Sequence, residues 1–209
     1  MSLSLPPTYV EGHNLLKDKR VIVTAAAGTG IGFSVAKRCL EEGASVLISD
    51  IHEGRLEDSA SRLEKETGVQ PATSLCNVTS QEDVDRLFVT ATEVFGETDV
   101  VINNAGLAVG KGAIDQGLID DWDRMVDTNV KGLLYVSKRI IPILKENGSG
   151  HIVNVASIAG KEVYPGGNVY CATKHAVDAL SRAMRIDLVD HKIKVTNLAP
   201  GAAETEFSI

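Results

Sequence analysis

Aromatic residues are scarce in this chain, at 4% of 209 residues, while glycine is plentiful at 19. That balance leaves little material for an aromatic core and suits small-residue turns between tightly packed aliphatic strands. Cysteine is nearly absent. Cys39, Cys76 and Cys171 are odd in number and lack paired spacing, which excludes a disulfide framework and points to free thiols in a reducing, cytoplasmic setting. No basic run interrupts the net charge of −7, so nucleic acid and anionic membrane are not expected partners. No apolar run reaches the length of a membrane span, and the first residues carry no leader pattern. The five histidines and three cysteines show no ligand spacing, so no metal site is expected.

What remains is a regular alternation. Residues 1–18 read as an irregular arm, and 19–209 as one domain, long enough for a continuous core. "KRVIVT" (19–24) and "ASVLISD" (44–50) are aliphatic runs of the buried-strand type. Further strands are expected at 72–76, 99–106, 151–157 and 192–200. Between them fall helical patterns: one from Ile31 to Gly43, one over 55–68, and one over 80–96 opened by Ser80 as N-cap. A single helix over 119–144 is expected to carry Trp122, Met125, Val126, Val130, Leu133 and Leu134 on one broad face. The last lies around Tyr170. Strands alternating with helices predict an α/β fold: a Rossmann-type, doubly wound parallel sheet with helices on both faces. In such sheets ligands bind beyond the carboxyl ends of the strands.

Several unusual residues fall at those ends. In "TAAAGTGIGFSVAKR", Gly28, Gly30 and Gly32 follow the first strand, and a helix beginning near Ile31 offers its unpaired N–H groups to a diphosphate. Asp50 ends the second strand, where a carboxylate accepts bonds from a ribose diol and repels a 2′-phosphate. This favours NAD, with Arg55 leaving room for NADP. Tyr170 and Lys174, four residues apart on one helix, share a face. A free phenol titrates at about 10. A cation about 4–5 Å away, at an effective dielectric near 20, favours the phenolate by about 3–4 kcal/mol. Lys174 is therefore expected to draw Tyr170 down toward the working range of a general acid or base.

Together, the glycine turn, "NNAG" (103–106), Asn129 in "TNVKG", Ser157 in "NVASIAG", the Tyr170–Lys174 pair and "PG" (200–201) resemble the short-chain dehydrogenase/reductase (SDR) family over residues 19–205. The first part of the chain is similar to members linked to sterol breakdown. The C-terminal half is similar to 3-hydroxy acid dehydrogenases. The resemblance implies hydride transfer between NAD or NADP and a small secondary alcohol or ketone. Tyr170 would be acid/base, Lys174 would also bond the nicotinamide ribose, and Ser157 would bind the substrate oxygen. Asn129 would hold a water linking Lys174 to solvent.

It further implies that Asn77 and Val78 meet the adenine, and that Asn103, Ala105 and Gly106 line the adenosine side. Pro200, Gly201 and Thr205 would surround the nicotinamide. A homo-oligomer is expected through the Trp122 helix and the helix after Tyr170. The glycine turn departs from the family pattern, with alanine where the first glycine is expected. Compared with the family, residues 19–209 are expected to lack the usual substrate-covering helix and last strand. A Ser–His hydrolase is disfavoured, because Ser157 lies outside a G-x-S-x-G elbow. The alternative is a nucleotide-binding module that senses redox state or serves as a scaffold.

Overall fold

The computed structural model describes residues 9–110, 112–203 and 205. Six parallel strands form one sheet in the order β3-β2-β1-β4-β5-β6: β1 Arg20–Val23, β2 Ser45–Asp50, β3 Ala72–Leu75, β4 Val100–Asn103, β5 Gly150–Val155 and β6 Ile193–Leu198. The winding direction reverses between β1 and β4. That is the point at which a doubly wound sheet opens a crevice.

The sheet holds because both of its faces are apolar. In register, Ile22 lies beside Leu47 and Val101, Val101 beside Ile152, and Ile152 beside Val195. This row packs under α3 (Gln81–Phe95), α5 (Leu133–Glu146) and α6 (Asn168–Asp187) through Leu87, Phe88, Val136, Ile140 and Val177. Residues one position along point the other way. Val21, Val23, Val46, Ile48 and Ile102 meet α1 (Ile31–Glu41) and α2 (Glu53–Thr67) through Phe33, Leu40, Leu56 and Leu63. The near-continuous aliphatic runs of the sequence are thus explained by burial on two sides. No helix among the described residues is long and apolar enough to cross a membrane.

Ser80 caps α3, accepting the Asp83 N–H at 3.2 Å. The described part of the arm docks on α1. There the buried Glu42 carboxylate accepts the N–H groups of His13 and Leu15 and pairs with Arg38.

The expected helix over 119–144 is interrupted. α4 (Ile119–Val126) passes into a π turn, Asp127–Gly132, before α5 begins. The wider turn shifts the helical register, so the expected face is not continuous. Met125 and Leu133 are buried, whereas Val126 and Leu134 are exposed. Gly132 has no room for a side chain, since an added Cβ would lie 2.7 Å from Val78.

Candidate active site at the strand ends

A cleft of about 520 Å³ opens beyond the carboxyl ends of β1, β2, β4, β5 and β6. At one end lie Gly30, Ile31, Gly32 and Asp50, with Arg55 on α2. At the other lie Ser157, Tyr170, Lys174, Pro200, Gly201 and Thr205. Residues more than one hundred positions apart in the chain, such as Gly30 and Tyr170, are brought together by the crossovers.

The glycine-rich turn is held from three sides. Ala25, which stands where a glycine is expected, has φ +50°, in the left-handed region. Asn104 braces it, its amide donating to the carbonyls of Thr24 and Ala25 at 3.0 and 2.8 Å. The Thr24 hydroxyl accepts the N–H groups of Asn104 and Ala105. Asp50 closes the other side, accepting the Ala27 N–H at 3.2 Å and the His52 N–H at 3.1 Å while still lining the cleft. An L-residue in the left-handed region costs about 1–2 kcal/mol, partly offset when glycine's greater unfolded entropy is counted. Ala25→Gly is therefore expected to raise stability by about 0.5–1 kcal/mol in urea unfolding. An unchanged or lowered midpoint would show that Ala25 is not strained.

Gly28 does not line the cleft. Its φ is +89°, and its N–H donates to the Ser59 hydroxyl on α2 at 2.9 Å, beside a small second cavity. The glycine there serves the turn and the docking of α2. At Gly30 and Gly201, by contrast, an added Cβ would meet no protein atom within 4 Å. α1 starts at Gly30 without a side-chain cap, so its first-turn N–H groups face the cleft unclaimed by any side chain.

Other expected contact residues are not among those lining the cleft. The Asn103 amide donates to Asn154 at 2.9 Å within the core, and Ala105 packs against that core. The Asn77 side-chain Oδ1 accepts the N–H and hydroxyl of Thr79, and Val78 packs on Gly132. Gly106 does line the cleft, and a Cβ there would lie 3.3 Å from the Lys174 Nζ.

Asn129 sits inside the π turn, buried. Its Oδ1 accepts the Leu107 N–H at 2.7 Å. Its Nδ2 donates to the Leu107 carbonyl and to the Thr173 hydroxyl, both at 2.9 Å. Both amide hydrogens are used, so this side chain has none to offer a water.

The electrostatics of the Tyr170–Lys174 pair correct the expectation drawn from spacing. Burial pushes the Tyr170 phenol above its ordinary value. A hydrogen bond with Ser157 acts downward, and Tyr164 and Cys171 act upward. The lysine is 4% exposed, and burial lowers its own ammonium to about 8. Its Nζ donates to the Val155 carbonyl at 2.9 Å and stands 5.9 Å from the centre of the Tyr170 ring. The ammonium is thus committed to a carbonyl on β5, and loss of solvation outweighs its pull on the phenol.

Residues that spacing did not reveal include Asn104, which shapes the turn, and Ile158 and Tyr164, which line the substrate end. Asn104 was legible in principle as the second asparagine of "NNAG". The others carry no sequence signal.

A family model described as short chain dehydrogenase matches residues 19–209. The chain belongs to the short-chain dehydrogenase family. An uncharacterized oxidoreductase of Staphylococcus aureus strain MRSA252 is 38% identical over 194 residues, spanning 93% of this chain and 82% of its own. A short chain dehydrogenase from Mycobacterium smegmatis superposes with a TM-score of 0.88 at 36% identity, over 93% of this chain and 81% of that one. A short chain dehydrogenase/reductase from Burkholderia phymatum, solved in complex with NAD, gives a TM-score of 0.87 at 28% identity, over 92% and 69%. As a short-chain dehydrogenase, this protein is a nicotinamide-dependent oxidoreductase.

The residues present fit such a cofactor. The uncapped start of α1 and the open space at Gly30 and Gly201 lie in the same cleft as Ser157 and Tyr170.

Proposed function

We propose that the short-chain dehydrogenase interconverts a secondary alcohol and a ketone, with Tyr170 exchanging the proton of the substrate oxygen. One observation carries this reading: Ser157, Tyr170 and Lys174 meet at one end of the cleft whose other end is the glycine turn. A nicotinamide cofactor held in this cleft would supply or accept the hydride. Gly30, Ile31 and Gly32 would hold the diphosphate at the start of α1, and Asp50 the adenosine ribose. Lys174 would hold the nicotinamide ribose, and Pro200, Gly201 and Thr205 would lie near the ring. Ser157, whose Oγ accepts the Ala159 N–H at 3.1 Å, would turn its one proton from the Tyr170 phenol to the substrate oxygen.

The raised phenol is protonated at neutral pH. That is the form that donates to a ketone, so reduction needs no prior ionisation at this site. Oxidation needs the phenolate and should quicken as pH rises.

NADH oxidation at 340 nm with a panel of ketones tests the reading. Saturable binding of NADH without turnover of any ketone would favour the redox-sensing or scaffold module instead. Asp50 further supports NADH over NADPH, since its carboxylate opposes a 2′-phosphate. Asp50→Asn is expected to reduce the NADH-over-NADPH preference about tenfold, measured as the ratio of kcat/KM values. An unchanged ratio would remove Asp50 from cofactor choice.

A reducing cytoplasmic location and a homo-oligomer complete the reading. Exposed Val126, Leu134 and Ile186 supply apolar surface on α4, α5 and α6 for contact between copies. Light scattering that returned the monomer mass would refute it.

A further inference from the structure

We propose that Thr173 is a positioning residue for the reaction, holding the first turn of α6 so that the Tyr170 phenol stays against Ser157. It builds on the proton-transfer role assigned to Tyr170. Thr173 lies between the catalytic pair in sequence and faces away from the cleft, 3% exposed. Its hydroxyl accepts a hydrogen bond from Asn129 Nδ2 at 2.9 Å and donates one to the Tyr170 carbonyl at 2.8 Å. Asn129 in turn grips both backbone groups of Leu107.

The result is one buried chain of hydrogen bonds. It runs from the segment after β4, through the π turn, to the backbone of the residue that carries the phenol. A hydroxyl can donate and accept at once, and no apolar side chain of this size can do either. Without it, a buried Asn129 N–H is left without its partner and the α6 carbonyl loses its tie to the π turn. Ser157 belongs to the end of β5 and is held separately, through Ala159. Movement of α6 therefore lengthens the contact between Ser157 and Tyr170 without disturbing Ser157 itself.

The readout follows from what surrounds the phenol. Tyr164 on the preceding loop, Cys171 and Lys174 on α6, and the hydroxyl of Ser157 are among the groups that face Tyr170. Of these, the Ser157 hydrogen bond is what lowers its titration. Weakening that bond moves the midpoint upward.

The test uses the full chain labelled with ¹³Cζ-tyrosine, whose four tyrosines give four signals, with Tyr170 assigned by its loss in Tyr170→Phe. Thr173→Val is expected to raise the Tyr170 midpoint, and Thr173→Ser to restore it. In parallel, Thr173→Val should lower kcat for NADH oxidation with cyclohexanone about ten- to hundredfold, with KM little changed. Should valine prevent folding, Thr173→Ala is read the same way. An unshifted Tyr170 midpoint in the folded valine or alanine variant, or a serine variant displaced as far, overturns the proposal. So does a fall in kcat that only tracks the folded fraction. The NMR titration is independent of turnover. A parent chain inactive on every ketone would refute the proposed function and leave the titration to decide the role of Thr173.

Discussion

Tyr170→Phe is expected to lower turnover by about 10²- to 10⁴-fold, the usual range for loss of a general acid or base. The substitution removes one oxygen and keeps the ring. The ring is held by the α6 backbone and by its place in the cleft wall, so Ser157 and Lys174 stay where they are. The glycine turn, Asp50 and the start of α1 lie at the other end of the cleft. NADH binding, followed by fluorescence, should therefore change little. The combination of lost turnover and kept binding separates proton transfer from cofactor capture. A phenylalanine variant with more than about a tenth of the parent activity would sink the assignment. The parent should also show oxidation that increases with pH toward the raised titration of the phenol.

The second large effect concerns Lys174, where function and stability oppose each other. Its ammonium is lowered from 10.5 in the unfolded chain to about 8 by burial. A group with a depressed folded value favours the fold fully only above its unfolded value, and that support is lost as pH falls through the folded one. Lys174 thus destabilises the fold below about pH 8 and ceases to do so near pH 10.5. A difference of about 2.5 units corresponds to about 3 kcal/mol at neutral pH. That figure is a ceiling, because the amine also bonds the Val155 carbonyl.

Lys174→Met, with a similar apolar stem, should raise stability at pH 7 by up to about 3 kcal/mol and lower turnover by at least about tenfold. The stability gap between variant and parent should close between pH 8 and 10.5. The difference between the two curves is the quantity to follow, since the buried thiols of Cys39 and Cys76, raised to about 11 and about 12, weaken the parent and variant alike above pH 9. A methionine variant less stable than the parent at pH 7, with no closing gap, would show that Lys174 is not strained by burial. Such a trade suggests why a lysine is kept where methionine would fold better.

Much of the architecture was legible in residue order. The aliphatic runs at 20–23, 45–50, 100–103 and 150–155 and the caps between them are local features, and periodicity reads local features well. The π turn was not, because its cause is not local. Asn129 is drawn to Leu107, twenty-two residues earlier, and Gly132 is pressed on Val78. The same holds for Gly28 against Gly30. Both look alike in the turn, yet one meets Ser59 of α2 and the other faces open cleft.

The chain's own residue order determined that strands alternate with helices, that the sheet is buried on both sides, and that Ser157, Tyr170 and Lys174 stand at strand-end and helix-turn positions. Only the folded molecule decided how those groups ionise and which of the glycine-turn residues face the ligand. The four-residue spacing puts an ammonium near a phenol, but solvation sets the charge each can hold. Solvation depends on neighbours such as Val155 and Ser157 that reach the site from the end of β5.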